Sequence, residues 1–415
     1  MPPSLTCRSG YDCTIPASHR IGSGALIGPD VIIIGGGIAG LACALALQQR
    51  GARVMVCEQA ARFEEVGAGL TLSQPANRGL FALGLRESIE AAADRPQSAR
   101  VANYLTGEAL DIPDRVKEAE GQKDVAYFYQ IHRADMHAIL VNAVSTNDPA
   151  AIRLGASFSG LEQDAEGVTA HFADGSSLRA PLLVGADGIN SAVRTALFGV
   201  GTARFTGQVA YRFLVPRVDV EAFMTLGPSV HYVGPGQNLL RYVLRRGTLV
   251  NGVGFVRTDN WTGEGWSTPA EPGELQAMFA GWHADVVGLI ARAPQHATRK
   301  WALFDRDPLP DWTLGRATLM GDAAHPMLPF LGLGAAMGIE DAVVFARAWA
   351  ANGDKTQSLA VYEASRRDRA NAVLLASRRQ ADVHQSKNHA DATRYQTDNR
   401  TLMAYDPASV ALSVP

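Results

Sequence analysis

DVIIIGGGIAGLACALALQQRGARVMVCE, residues 30–58, decides the fold class of this chain. Its four consecutive apolar β-formers, Val31 to Ile34, predict a strand buried on both faces, as in a parallel sheet. The strand runs into GGGIAG, so Gly35, Gly37 and Gly40 fill the three glycine places of a G-x-G-x-x-G turn. Leu41, Ala44, Leu45 and Leu47 follow at helical spacing, Gly51 can stop the helix, and Arg53 to Cys57 reads as a second strand ending in Glu58. A glycine-rich βα turn that binds nothing is the alternative, but here strand, turn, helix, strand and terminal acid all fall in order. The physical reading is a dinucleotide site. Glycines let backbone approach a pyrophosphate, the helix start offers N–H groups and a positive dipole end, and Glu58 can accept ribose hydroxyls. NAD and FAD both fit this unit.

At 415 residues the chain has room for two domains, or for one large domain with an insertion. Hydrophobic residues at 47% and charged residues at 19% describe an ordinary globular protein. A net charge of −3 without a strongly basic stretch argues against a nucleic-acid surface. No apolar run is long enough to span a bilayer, and residues 1–29, lacking an apolar core segment, read as a loosely ordered extension rather than a signal peptide. Cys43 and Cys57 lie inside the dinucleotide unit as small apolar residues, and Cys7 and Cys13 show no zinc spacing. No metal site is expected, and a reducing, cytoplasmic setting fits this cysteine usage.

Beyond Glu58, IHRADMHAIL (131–140) reads as an extended entry into a helix whose first turn carries Arg133 and Asp135. Arg133 suits either a phosphate or flavin edge, or a surface ion pair. Residues 152–184 alternate like hairpins and end in GADGINSAVR (185–194), where Asp187-Gly188 precedes a helix start bearing Ser and Arg. From Arg204 to Trp301 the pattern becomes β-rich, with many aromatics and glycine turns and a helix near Pro272 to Ala291. GDAAHPMLPFLGLGAAMGIED (321–341) places a Pro/Gly-rich loop between a short strand and a helix opening near Gly334, and a long helical stretch runs from Gln357 to about Lys387.

GGGIAG with Glu58, GADGINSAVR and the Gly321–Asp341 motif together resemble the single-component flavoprotein aromatic hydroxylases, the class that includes salicylate and 3-hydroxybenzoate hydroxylases. The resemblance covers nearly everything from Asp30 onward. It implies an α/β fold: an FAD-binding Rossmann-like domain of the p-hydroxybenzoate hydroxylase type, with a β-sheet substrate domain and a C-terminal helix. The FAD-binding domain would comprise 30–98, 130–203 and 302–352, the substrate domain 99–129 and 204–301, and a helical region and tail 353–415. Gly35, Gly37, Gly40 and Glu58 would hold the ADP half of FAD and Arg133 the ribityl or phosphate region. Asp187 and Gly188 would serve both FAD and the visiting nicotinamide, and Asp322 the ribityl chain. The loop from Pro326 to Ala335 would run beside the isoalloxazine ring. Independently of the family, a helix starting at Gly334-Ala335 aims unpaired N–H groups and a dipole end at negative charge, as on the reduced flavin. The sequence holds only one G-x-G-x-x-G, which matches a family in which NADH or NADPH visits without a Rossmann domain of its own.

The implied reaction uses NAD(P)H and O₂ to hydroxylate a small phenol or hydroxyaryl acid through a C4a-hydroperoxyflavin, with or without loss of CO₂. The protein would act as a monomer or homodimer. Relatives often carry a histidine after a Gly-Pro-Gly turn and a tyrosine four residues later. Here GPGQNLLRYVLRRG keeps Tyr242 but has Asn238 at the histidine place, and a glutamine common before the last helix is replaced by Leu333. Neither an amide nor an alkyl chain can act as a base. Tyr242, Arg212 and His325 become the catalytic candidates, with Arg241, Tyr211 and His231 behind them. A core tyrosine with a satisfied hydroxyl is the plain alternative for Tyr242, a satisfied or surface histidine for His231, and a structural or flavin-adjacent place, favoured over a role as base, for His325. Strand spacing puts Asn238, Leu240 and Tyr242 on one face and Arg241 and Val243 on the other.

Four competing readings remain. A heteroaromatic hydroxylase of urate or pyridine type fits the altered base positions. A flavin halogenase lacks its W-x-W-x-I-P sequence here. A nicotinamide dehydrogenase conflicts with the Asp187 and Asp322 motifs, and a redox-inactive FAD-binding protein conflicts with motifs intact around the ring.

Overall fold

The computed structural model describes residues 28–63, 68–110, 128–199, 201, 203–258, 261, 268–384 and 400–415. The expected extension, apart from its last two residues, and Cys7 and Cys13 lie outside the described residues.

Strand Val31–Ile34 is buried at all four positions because it lies in the middle of a six-stranded sheet. Leu182–Gly185 and Val54–Cys57 flank it in parallel, followed by Ala317–Leu319 on one side and Ile152–Arg153 on the other. Such a strand has no polar face to offer, which explains its unbroken Val/Ile run. Helix Ile38–Gln48 is buried nearly all round. One side covers the sheet; the other meets helix Gly334–Ala351, where Gly338 and Gly321 let Ala39 come close. Small residues at this crossing bring the glycine turn and the Gly334 helix start together. Helix Lys355–His384 then packs against Gly334–Ala351.

A second, seven-stranded sheet is antiparallel except at one edge, where Arg100–Asn103 pairs in parallel with Val230–Gly234. Its inner strands are Arg299–Asp305, Arg204–Pro216, Leu249–Arg257, Gln237–Leu244 and Val230–Gly234. Tyr211, Phe213, Tyr232, Leu239 and Val256 point to one face, packed with Phe279, Trp282, Val286 and Leu289 into a separate apolar core. The single helix expected near 272–291 is two, Glu274–Met278 and Ala284–Ala291, interrupted at Gly281 in the left-handed region. The sheet also runs on to Asp305, past the expected change at residue 301, because Arg204 and Phe205 pair with Asp305 and Phe304. Its other face is turned toward the first sheet's glycine turn.

Among the described residues no helix is long and apolar enough to cross a membrane.

Candidate active site

The glycine turn is built by three different constraints. Gly35 has φ +106°, and a side chain there would run into the Ala186 backbone. A Cβ on Gly40 would fall on the carbonyl oxygen of Gly35, so this glycine sets how closely helix and strand approach. Gly37 has φ −77°, open to any residue, and a Cβ there would meet nothing within 4 Å. The turn is braced from outside: the Gly36 amide donates to Glu58 Oε2 at 2.7 Å, and His137 Nε2 lies 2.7 Å from the Gly36 carbonyl. Glu58 Oε1 accepts from the Ala60 amide at 2.9 Å.

Next to it, Asp187 accepts from Ser191 Oγ at 2.5 Å and from the amides of Ala192 and Val193 at 2.7 and 3.1 Å. Burial raises its pKa, and these donors oppose the rise. Asp322 follows strand Ala317–Leu319 and opens into a cavity while protein surrounds it. Burial raises its pKa too, against the pull of His325 and Arg133 and with a further push from Asp341. Helix Gly334–Ala351 begins at the same cavity without a side-chain cap, so the amides of its first turn face inward unclaimed by a capping group.

The opposite wall is the second sheet. Arg212, His231, Val233, Asn238, Leu240, Tyr242, Val253 and Phe255 all line the cavity, as the period of two requires. Tyr242 packs on Gly69, where no side chain would fit, and the Gly69 amide donates to Asn251 Oδ1 at 2.8 Å. Burial pushes the Tyr242 hydroxyl up to about 12, with Arg212 and a hydrogen bond to Thr71 opposing. Arg212 lies over the Trp301 ring at 5.1 Å. Burial lowers its pKa, Tyr242 raises it and Arg133 lowers it further. His231 Nε2 is 2.9 Å from Asn238 Oδ1, across the hairpin.

The enclosed volume is about 630 Å³. Its walls fit a flavin dinucleotide: an open glycine cradle at Gly37, an acid open to the cavity at Asp322 and an uncapped helix start at Gly334 all face one space. Known proteins agree. The FAD binding domain family matches residues 29–377. The 3-amino-4-hydroxybenzoate 2-monooxygenase of Streptomyces platensis is 38% identical over 354 residues, covering 84% of this chain and 87% of that one. This chain belongs to the single-component FAD-dependent aromatic hydroxylases. The 6-hydroxynicotinate 3-monooxygenase of Bordetella bronchiseptica is 32% identical over 356 residues, 84% of this chain and 90% of its own. A salicylate hydroxylase substrate complex superposes with a TM-score of 0.79 at 28% identity, covering 92% of this chain and 96% of that one. The hydroxylase therefore has the p-hydroxybenzoate hydroxylase fold, uses FAD and is an oxidoreductase.

Within this hydroxylase, Gly37, Arg133, Gly188, Arg212, Tyr242, Asp322, Gly334 and Ala335 share the cavity wall. Gly35, Gly40 and Glu58 stand behind the glycine turn and shape it. Asp187 does not line the cavity; its carboxylate is taken up by the start of helix Ala192–Phe198. His325 needs correction as a catalytic candidate. It is buried against Trp312, 2.6 Å from Asp341 Oδ2, and does not reach the cavity. Arg241 and Tyr211 are on the far face, bonded to Asp285 and Glu274. Sequence reasoning missed His137, Asn251 and Asp341, which shape the site through contacts remote in sequence; Gly69, which the sequence offers as a place of close approach to a cofactor or as a simple loop, lines the cavity against Tyr242.

Proposed function

We propose that this hydroxylase places a small hydroxyaryl carboxylic acid between the sheet wall and the flavin, with NADH or NADPH and O₂ as co-substrates. The supporting observation is the shared cavity: the Gly37–Asp322–Gly334 side would hold FAD, facing a mostly apolar wall interrupted by Arg212, Tyr242, Asn238 and His231. The relatives named for 3-amino-4-hydroxybenzoate and 6-hydroxynicotinate support an acid-bearing ring, and the latter favours a heteroaromatic as second reading.

FAD supplies the redox and oxygen-activating chemistry; the chain supplies position and proton control. Gly37, Arg133 and Asp322 would hold the phosphate and ribityl parts, and the amides at Gly334 and Ala335 would favour negative charge on the ring system. Leu240, Val253, Phe255 and Phe330 exclude water around the reacting carbon. Arg212 is a cation in a low-dielectric wall and suits a carboxylate. Tyr242, with its pKa pushed to about 12, stays protonated near pH 7 and acts as a hydrogen-bond donor to the substrate, not as a base. Two buried free cysteines accord with a reducing cytoplasm, and the hydroxylase acts as a monomer or homodimer.

The test is a purified yellow protein whose NADH or NADPH oxidation rises when a panel of hydroxyaryl acids is added, giving a product heavier by one oxygen. A colourless protein that takes up no flavin from added FAD would end this reading.

A further inference from the structure

The C-terminal tail, residues 400–415, is remote in sequence from the glycine turn, yet Met403 lines the same cavity as Gly37, Asp322 and Gly334. A chain end stays loose unless something ties it down. Here arginines from three helices tie its backbone. Arg78, on helix Gln74–Ala82, donates through Nη1 to the carbonyls of Met403 and Tyr405 at 2.6 and 3.1 Å. Arg369 of helix Lys355–His384 donates to the Leu402 carbonyl at 3.0 Å. Arg347 of helix Gly334–Ala351 donates to those of Pro407 and Val410 at 2.8 and 2.7 Å. The Tyr405 ring lies against Arg369 and Arg366, 3.9 and 5.0 Å from their guanidinium carbons. These are charge-assisted and cation–π links, and Leu402, Val410 and Leu412 add apolar contact with the first core.

The ties fix the side from which Met403 enters. Helix Gly334–Ala351 meets Ala39, just past the glycine turn, at Gly338. The tail lies on another side of that helix: Ile339 and Pro407 both pack on Gly79, and Arg369, which holds Leu402, also holds Glu340 at 2.7 and 2.8 Å. At 3.6 residues per turn, Glu340 points nearly opposite to Gly338. Met403 thus reaches the cavity away from the glycine turn, at the end where the helix opens and where Gly332 faces Thr71. Resting on the FAD seat proposed above, we propose that the docked tail is part of that seat, with Met403 as the wall residue beside the flavin ring system. An unbranched thioether suits contact with a flat aromatic ring. Binding that touches Met403 favours the docked tail, so by linkage FAD must also hold the tail down.

The experiment titrates full-length apo-protein with FAD, and neither of its measurements needs turnover. Amide hydrogen exchange in residues 401–410 of the wild type should slow by about tenfold when FAD saturates the site. Met403→Trp puts added bulk into open cavity, so the denaturation midpoint of the apo-protein should match wild type while the Kd for FAD rises by about tenfold or more. Met403→Leu, apolar and of similar volume, should keep the Kd within about threefold of wild type. Tail exchange indifferent to FAD, or wild-type FAD affinity in Met403→Trp, would overturn the proposal and leave the FAD seat standing. A lowered apo midpoint in Met403→Trp would place the side chain in the core instead of on the cavity and overturn it as well. A wild type that takes up no FAD would remove the seat and this inference together.

Discussion

Gly37 and Gly40 belong to one motif and are glycine for opposite reasons. At Gly40 the missing side chain makes room for the Gly35 carbonyl, which is backbone and has nowhere to go. Gly40→Ala is therefore expected to destabilise the apo-protein by about 3 kcal/mol, the upper range for overpacking, read as a lower denaturation midpoint. At Gly37 the backbone suits any residue and the added methyl meets only open space. Gly37→Ala should leave that midpoint within roughly 0.5 kcal/mol of wild type while weakening FAD at least tenfold by flavin fluorescence titration. Equal losses of stability in both variants would show that the motif is merely packing. Gly69 makes the same point on the substrate side. Gly69→Ala drives a methyl into the Tyr242 ring, so it should raise KM for the aromatic substrate more than it lowers FAD affinity.

Elements hold these residues through a few buried polar links, and Asp341 on helix Gly334–Ala351 carries the set next to the cavity. It accepts from the Gly321 amide at 3.0 Å, faces His325 Nε2 at 2.6 Å, and pairs with Arg366 Nε of helix Lys355–His384 at 2.8 Å. Burial alone would raise its pKa, but His325 and Arg366 outweigh that and hold it at about 2. A carboxylate with a folded pKa below its unfolded value stabilises the fold fully above roughly pH 4 and loses that contribution as the pH falls toward 2. Asp341→Asn is expected to cost about 3–5 kcal/mol at pH 7, since it leaves the buried Arg366 short of a partner. It should also lose less further stability than wild type between pH 5 and pH 3 in urea melts; parallel pH profiles would sink the assignment. The first strand, turn and helix were legible because their evidence is local, in an apolar run, spaced glycines and a helical repeat. The alternation in Gln237–Leu244 was legible for the same reason, including which face Tyr242 takes. His137 on the Gly36 carbonyl, Asn251 on the Gly69 amide and His231 on Asn238 were not. Each depends on how separate segments dock or on strand register, which no residue spacing encodes. The motif of His325 adjoins the cavity, which suggests chemistry, but the side chain turns from that short turn into the core, the structural place that was its alternative.

Among the described residues, the cavity lies between two large apolar cores, with a smaller cluster around Val253, Phe255 and Leu328 at its wall. The first surrounds Val31–Ile34 and helix Gly334–Ala351; the second lies behind the far face of the seven-stranded sheet. The glycine cradle, Asp322 and the Gly334 helix start come from the first body, whereas Arg212, Asn238 and Tyr242 come from the second. Tyr242 on Gly69 and Asn251 on the Gly69 amide already bridge the two across the cavity floor. An occupant that touches both walls adds its binding energy to that bridge. FAD at a hundred times its Kd should stabilise the fold by about 2.7 kcal/mol. The location of the gain is the sharper expectation. Amide hydrogen exchange should slow in Ile38–Gln48 and at the start of Gly334–Ala351 when FAD binds. A hydroxyaryl acid added to the FAD complex should then slow exchange in Gln237–Leu244 and Leu249–Arg257, which present its wall. The hairpin sheet Phe158–Gln163, Val168–Phe172 and Ser177–Ala180 does not line the cavity and should stay unchanged in both steps. Protection from the acid that appears in this remote sheet as strongly as in Gln237–Leu244 would mean general tightening of the chain, and would count against a substrate seat on the seven-stranded sheet.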